Sequence, residues 1–155
     1  MTQQITQIED DALRMAISRA LDAWRDEKRT GIAAAIIFND TVVAIAENRV
    51  HQDQDPTHHA EIVALGKAAK VLSPEDLAQC TLISTLQPCE MCLSATRFAG
   101  IARIIFAARQ GSVAGKYFVF PHLCIDDFCD ASDPFTHIGG IRENEVIHLY
   151  IDGEE

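Results

Sequence analysis

Positive charge is scarce in this sequence. Its 155 residues include 13 Lys and Arg against 23 Asp and Glu, which gives a formal net charge of −10 at pH 7. The basic residues are scattered from Arg14 to Arg142 and form no cluster. A surface this acidic repels phosphate backbones. We therefore expect a small-molecule partner and no nucleic-acid partner.

The sequence also lacks long apolar runs and paired cysteines. The segment 1–11 is polar, and no apolar run approaches the roughly 20 residues that span a bilayer. The five cysteines are an odd number, and two of them form a Cys-x-x-Cys pattern. In a chain without an export signal, this pattern indicates metal or redox chemistry and argues against a disulfide framework. We expect a cytoplasmic protein with no membrane partner.

Length and apolar content predict one domain over residues 1–155. Hydrophobic residues make up 48% of the chain, which is enough for one hydrophobic core and leaves little room for a second domain. Apolar residues at helical spacing predict helices over residues 8–27, 57–71 and 89–98. Short apolar runs predict strands over residues 32–38, 42–46, 80–86 and 101–107. Alternating helices and strands imply crossover connections, and so an α/β sandwich around a mixed sheet.

Turn and capping residues refine these boundaries. Asn39-Asp40 is a plausible hairpin turn, and we expect Gly31 to end the first helix. Asp55 or Thr57 is a candidate cap for the second helix. Pro88 suits the first turn of the third helix, which Gly100 would close.

The last third of the chain has a weaker pattern. Residues 111–120 suggest loop and short helix, and residues 123–129 a helical turn. Residues 146–151 suit either a final strand or the start of a terminal helix.

Two local patterns carry the candidate chemistry: His59-Ala60-Glu61 and Pro88-Cys89-Glu90-Met91-Cys92. Each is ambiguous alone, since a histidine at a helix start is usually a cap and a Cys-x-x-Cys can be a redox pair. Cysteines three apart on a helix share a face, so Cys89 and Cys92 can both reach one ion. A helix N-terminus also favours the thiolate form that zinc needs.

We therefore expect one zinc ion per chain, bound by His59, Cys89 and Cys92. Three protein ligands leave the fourth tetrahedral position open to water, as in a catalytic zinc site. Glu61 is the candidate proton shuttle between that water, the substrate ring and the departing amine. Residues two apart in a helix interior point to different sides. His59 and Glu61 should therefore lie at the helix start, or Glu61 must reach around the metal from a different angle.

The two patterns together match H-x-E…P-C-x-x-C, the signature of zinc-dependent nucleobase deaminases. The sequence resembles the cytidine deaminase-like superfamily, in the branch of guanine deaminases, cytosine deaminases and tRNA adenosine deaminases. The resemblance runs from about Ala33 to Ala107 and is carried by residues 55–62 and 85–92. It implies a three-layer α-β-α sandwich around a mixed five-stranded sheet. It also implies a homodimer.

The resemblance assigns further residues to the site. Asn48, eleven residues before His59, is expected to hydrogen-bond the substrate base. The backbone amides near Ala60 and Cys89 should also help to bind it. The family usually has glutamate where this sequence has Gln87, and a small residue where it has His58. Residues after Arg109 match no relative closely, although this segment usually closes the pocket.

Three functions follow as alternatives. The first is deamination of a free base or nucleoside. A guanine-like aminopurine ranks first and cytosine second, because of the acidic surface and a loose similarity to guanine deaminases over residues 67–72. The second is a tRNA adenosine deaminase, which would need a basic rim around the site. The third is a non-enzymatic zinc protein, which would need a fourth protein ligand; a redox pair is a weaker variant.

Other side chains in the last third suit either a substrate contact or an ordinary structural role. Phe118, Phe120 and Phe128 are candidates for stacking on a base, although core packing explains each equally well. Asp126 and Asp127 are candidate contacts for a guanine-like base, with a solvated turn the more ordinary reading. A second metal site at His122, Cys124 and Cys129 fits no common zinc spacing, so we do not expect one there.

Overall fold

In the computed structural model, which describes residues 4–26 and 29–153, a five-stranded mixed sheet forms the centre of the fold. The strands are β1 (Ala33–Phe38), β2 (Thr41–Glu47), β3 (Thr81–Leu86), β4 (Arg103–Ala108) and β5 (Thr136–Ile138). They lie in the order β2-β1-β3-β4-β5. β1 is antiparallel to β2 and β3, whereas β3, β4 and β5 are parallel. The predicted mixed sheet is confirmed.

Helices cover the sheet. They are α1 (Gln7–Arg25), α2 (Val50–Asp53), α3 (Ala60–Ala69), α4 (Pro74–Leu77), α5 (Glu90–Phe98), α6 (Ile125–Ala131) and α7 (Glu143–Val146). α1 packs against β1, β2 and β3, and α3 packs against β1 and β2. Because side chains of β1 are buried on both faces, helices must cover both sides of the sheet. No helix in the described part of the chain is long and apolar enough to cross a membrane.

The hairpin between β1 and β2 turns where the sequence predicted it. Asn39 and Asp40 have φ angles of 47° and 56°, so both lie in the left-handed region. Two-residue hairpin turns of this kind match the twist of the flanking strands, and Asn and Asp tolerate the conformation better than most residues. Phe38 accordingly pairs with Thr41 across the turn.

The first helix differs slightly from its predicted boundaries. A capping box formed by Thr6 and Glu9 starts it, and Asp26 is its C-cap. Of the predicted residues, Glu27 lies outside the described part of the chain. Because the helix has already ended at Asp26, the prediction that Gly31 ends it was wrong. Gly31 instead permits close packing, since a Cβ there would lie 2.8 Å from the Cβ of Trp24.

The two helices that carry the motifs begin later than predicted. α3 begins at Ala60 and α5 at Glu90, each one residue after a motif residue that serves as N-cap. Asp55 does not cap α3; its carboxylate accepts a hydrogen bond from the backbone N–H of Thr57 at 2.8 Å and stabilises the preceding turn. Pro88 precedes the N-cap of α5, so its predicted place in the first helical turn was wrong. Gly100 has φ +83° and follows the C-cap Ala99, as predicted.

The structure defines the segments that the sequence left irregular or uncertain. The predicted polar loop over residues 49–56 contains the short helix α2. Within the predicted segment 146–151, α7 ends at Val146 and continues into a 3-10 helix at Ile147–Leu149, which a turn follows, so the strand alternative was wrong. The fifth strand is instead β5, which has only three half-buried residues and no apolar alternation. The helical turn predicted over residues 123–129 is confirmed as α6.

A buried hydroxyl joins the end of the chain to the sheet. Tyr150 is 1% exposed, and its hydroxyl donates to the backbone carbonyl of Gly31 at 2.6 Å. The same oxygen lies 2.9 Å from the hydroxyl oxygen of Thr85, which accepts from the backbone N–H of Ala33 at 3.1 Å. The contact thus connects the C-terminal helical segment with β1 and β3.

We expect Tyr150→Phe to lower the free energy of unfolding by about 1–2 kcal/mol, because it leaves a buried carbonyl without its donor. Urea denaturation should show a lower midpoint with an unchanged m-value. Thr85→Val combined with Tyr150→Phe should cost less than the sum of the two single changes, since the hydroxyls share one network. Full additivity, or no change in midpoint for Tyr150→Phe, would contradict this account of the network.

Candidate metal and substrate site

Three potential metal ligands converge at the start of two helices. The Sγ atoms of Cys89 and Cys92 lie 3.7 Å apart. The Nδ1 atom of His59 lies 3.4 Å from Cys89 Sγ and 3.7 Å from Cys92 Sγ. The structure therefore brings together the three residues that the sequence proposed as ligands, and they form a candidate metal site.

The local backbone explains why these side chains face one another. His59 is the N-cap of α3 and Cys89 is the N-cap of α5, and both have extended backbone angles. Neither side chain makes the usual capping hydrogen bond to its own helix. Cys92 lies in the first turn of α5, which packs against α3. The N-cap position thus points both side chains away from their helices and toward the shared site.

The triangle of ligand atoms fits a tetrahedral zinc ion. With Zn–S distances of about 2.3 Å and a Zn–N distance of about 2.0–2.1 Å, two sulfurs should lie ~3.8 Å apart and a sulfur and nitrogen ~3.6 Å apart. The three separations of 3.7, 3.4 and 3.7 Å agree with these values to about 0.2 Å. Two thiols and an imidazole are also the donor set that zinc prefers.

The site favours a thiolate at Cys89. A hydrogen bond from Cys92 lowers the pKa of Cys89 to about 4, with His59 acting in the same direction and burial opposing them. The same hydrogen bond, together with burial, raises the pKa of Cys92. The hydrogen bond with Cys89 raises the pKa of His59, against the effect of burial. The three groups thus share protons that a divalent cation would displace.

Glu61 lies beside the ligands and is nearly enclosed. It is 5% exposed, and its Oε2 atom lies 3.5 Å from Cys92 Sγ. The hydroxyl of Ser84, on β3, donates to Oε1 at 3.0 Å and fixes the carboxyl group. Burial, and then the charge of Cys89, raise the pKa of Glu61, while Ser84 and His59 oppose the shift. A carboxyl group with a raised pKa is suited to exchanging protons near neutral pH.

A cavity of about 390 Å³ opens onto His59, Glu61 and Cys89. This volume lies within the roughly 300–1,000 Å³ that is typical of small-molecule sites. Much of the wall is apolar or aromatic, from Ile32, Val50, Pro56, Leu86, Met91, Tyr117, Val119 and Phe120. Its polar groups include Thr30, Asn48, His51, Gln87, Glu90 and Lys116.

Asn48 and Ala60, the substrate contacts predicted by the resemblance, lie in different surroundings. Asn48 is 9% exposed and lines the cavity, with its Oδ1 atom accepting from the backbone N–H of Val50 at 3.1 Å. Its side-chain N–H groups are thereby oriented by the loop. Ala60 is fully buried as the first residue of α3. His58 Nδ1 lies 2.8 Å from Asp53 Oδ2, so its side chain stabilises the loop before α3.

Two buried side chains hold the C-terminal segment beside the cavity through hydrogen bonds to its backbone. Sequence reasoning missed this role for both. Gln87 Oε1 accepts from the backbone N–H of Gln110 at 3.0 Å. Glu90 Oε1 accepts from the backbone N–H of Phe120 at 3.1 Å. Glu90 lies between the two ligand cysteines and is 8% exposed. The glutamate inside the Cys-x-x-Cys motif was the available signal, but its partner, 30 residues away, was not visible in the sequence.

The aromatic and acidic candidates from the last third separate into two groups. Phe120 lines the cavity, and Phe118 packs against Cys89 and Cys92 from behind. Phe128 and the two aspartates do not line the cavity. Asp126 pairs with His137 at 3.0 Å, and Asp127 accepts from the backbone N–H of Cys124 at 2.6 Å. The aspartates therefore act within the fold around α6 and not on a base in this cavity.

Comparison with known proteins places these features in a family. Residues 6–108 match the family described as "Cytidine and deoxycytidylate deaminase zinc-binding region". The guanine deaminase of Bacillus subtilis is 37% identical over 102 residues, which are 66% of this chain and 65% of that protein. The chain thus spans slightly less than two thirds of that relative.

Two further relatives extend the match into the last third. The "Probable cytosine deaminase" of Schizosaccharomyces pombe is 37% identical over 142 residues, covering 87% of this chain and 85% of that protein. A structure solved in studies of A-to-I editing by tRNA:A34 deaminases is 26% identical, with a TM-score of 0.75, covering 90% of this chain and 98% of that one. The chain therefore belongs to the cytidine and deoxycytidylate deaminase zinc-binding family.

Proposed function

We propose that this protein is a zinc-dependent hydrolytic deaminase that releases ammonia from a free nucleobase or nucleoside. The observation that carries the proposal is the position of Glu61. Its carboxyl group lies beside three ligand atoms spaced for zinc and lines the same cavity. In the described residues, the metal-binding cluster around His59 contains three residues, which is the number typical of a catalytic zinc.

The chain supplies proton transfer and orientation. Zinc, when bound, lowers the pKa of a water molecule toward neutrality and so provides the nucleophile. Glu61 accepts one proton from the attacking water and delivers it to the ring nitrogen. It then transfers the water's second proton, from the newly added hydroxyl, to the amine, which leaves as ammonia as the carbonyl forms. Ser84 holds the carboxyl group in place through its 3.0 Å hydrogen bond. The apolar walls exclude bulk water, which strengthens these polar interactions.

The substrate class follows from the cavity and the charge. A cavity of about 390 Å³ with apolar walls suits a planar base, and the amide of Asn48 provides directional hydrogen bonds inside it. The net charge of −10 disfavours a polynucleotide. We rank a guanine-like aminopurine first and cytosine second, and relatives of both kinds are 37% identical to this chain. We also expect a homodimer, as in the sequence prediction.

A tRNA adenosine deaminase is the second candidate. It is favoured by the similarity to the structure from the study of tRNA:A34 deaminases, which extends over 98% of that chain. Lys116 is the sole Lys or Arg among the cavity-lining residues in the described part of the chain, which is little for a phosphate-binding rim. A non-enzymatic zinc protein would need no role for Glu61.

Glu61→Gln should reduce deamination by about 10²–10⁴-fold, because the amide cannot accept the proton from water. The assay measures ammonia release from a panel of guanine, other aminopurines, cytosine and their nucleosides. Glu75→Gln, at an exposed glutamate on α4, is the matched control and should retain full activity.

The same panel separates the candidate functions. Release of ammonia from a free base supports the proposal. Inosine formation in a tRNA transcript without activity on free bases would promote the second candidate. Zinc binding without any activity, or a fully active Glu61→Gln variant, would contradict the proposed mechanism.

Cys89→Ser should lose one equivalent of zinc relative to the unaltered chain, because a hydroxyl is a much poorer zinc ligand than a thiolate. Metal content after dialysis, measured by atomic emission, gives the stoichiometry. Cys80→Ser is a control for removing a buried thiol, since Cys80 lies outside the cluster. Unchanged zinc content in the Cys89 variant would place the ion elsewhere.

Glu90→Ala should raise KM more than it lowers kcat, because it releases the wall segment that Phe120 contributes to the cavity. Glu90→Gln retains an acceptor oxygen and should restore most of the lost affinity. Steady-state kinetics on the preferred base tests both variants. If both variants lowered kcat equally and left KM unchanged, the charge of Glu90 would contribute to the reaction itself and not to the position of the cavity wall.

A further inference from the structure

A second group of metal-ligating side chains lies between α6 and β5. Asp126, Cys129 and His137 each offer one ligand atom, and these atoms all lie within 4.8 Å of one another. None of the three lines the cavity. All three lie after residue 108, where the family match ends.

The local structure holds these side chains toward one another. Asp126 and Cys129 are three residues apart on α6 and therefore share a face. His137 is the central residue of β5, and its ring stacks on Phe106 with a centroid distance of 6.3 Å and an angle of 18°. This packing fixes the imidazole, and its Nε2 atom lies 3.0 Å from Asp126 Oδ1.

We propose that Asp126, Cys129 and His137 form a second divalent-metal site, with zinc as the cation that it fits best. A thiolate, an imidazole and a carboxylate are all ligands of zinc in proteins. Nitrogen and oxygen ligands of one tetrahedral zinc lie ~3.4 Å apart. The 3.0 Å contact must therefore lengthen by a few tenths of an ångström, which Asp126 permits because its side chain is 76% exposed.

The surrounding charge favours a cation. Asp127, Asp130 and Asp133 lie in the same stretch of chain as the proposed ligands. Arg97 is a positive group close enough to act on Cys129. Its guanidinium stacks on Phe135 and donates to the backbone carbonyl of Asp133 at 3.1 Å. That guanidinium is held by its own partners, and the acidic residues outnumber it.

Binding there would tether the wall of the substrate cavity. α6 begins at Ile125, five residues after Phe120, which forms part of that wall. An ion shared by α6 and β5 fixes the end of the connecting segment to the sheet. This role is separate from the proposed deamination, since no ligand of one cluster belongs to the other.

Zinc stoichiometry tests the proposal. Chelator-treated protein, reloaded with zinc chloride and dialysed, should retain a second equivalent that is lost in Cys129→Ala and in His137→Ala. His122→Ala and Cys124→Ala are matched controls, because these exposed residues precede α6 and lie outside the cluster. Both controls should retain the second equivalent.

A variant lacking the first site isolates the second. Cys89→Ser combined with Cys92→Ser should still bind one equivalent of zinc, and the further change Cys129→Ala should remove it. Circular dichroism checks that each variant is folded. The zinc stoichiometry of the unaltered chain tests the proposal even if one variant does not fold. A single equivalent in the unaltered chain, or equal loss of zinc in His122→Ala and Cys124→Ala, would overturn the proposal.

Discussion

The structure depends on one constraint: α3 and α5 must begin next to each other. His59 and Cys89 are both N-caps, and each gives up the usual capping hydrogen bond to point its side chain into a shared site. The crossovers of the mixed sheet bring these helix starts together, and the packing of α3 on α5 maintains a ligand separation of 3.4 Å. The hydrogen bond from Ser84 then fixes the carboxyl group of Glu61 beside the ligands, where Glu61 also lines the cavity.

Residues far along the chain also contribute to this site through hydrogen bonds. Gln87 and Glu90, which flank Cys89, reach the backbone of residues 110 and 120 and hold the C-terminal segment over the cavity. Tyr150 anchors the end of the chain to β1 and β3. The segment around the candidate metal ligands therefore fixes where residues 110 and 120 of the C-terminal segment lie. Gln87, where the resemblance led us to expect glutamate, accepts a hydrogen bond from the backbone N–H of Gln110.

Much of the fold and of the candidate metal site could be predicted because their signals are local. The hairpin at Asn39-Asp40, the apolar strands and the two motifs each depend on residues close in sequence, and the expected position of His59 and Glu61 at a helix start is confirmed. β5 was not predicted, because its three half-buried residues gain their place only by pairing with β4. The approach of His137 to Asp126, and of Glu90 to Phe120, joins residues 11 and 30 apart, respectively, and no periodicity reports such contacts.

Anomalous diffraction at the zinc absorption edge, from crystals containing an unreactive base analogue, tests the central claim most directly. The account predicts a peak at about 2.0–2.3 Å from His59, Cys89 and Cys92, with a non-protein ligand at the fourth position facing Glu61 and the analogue in the cavity. A fourth protein ligand on that ion, or an analogue bound away from Glu61, would contradict it.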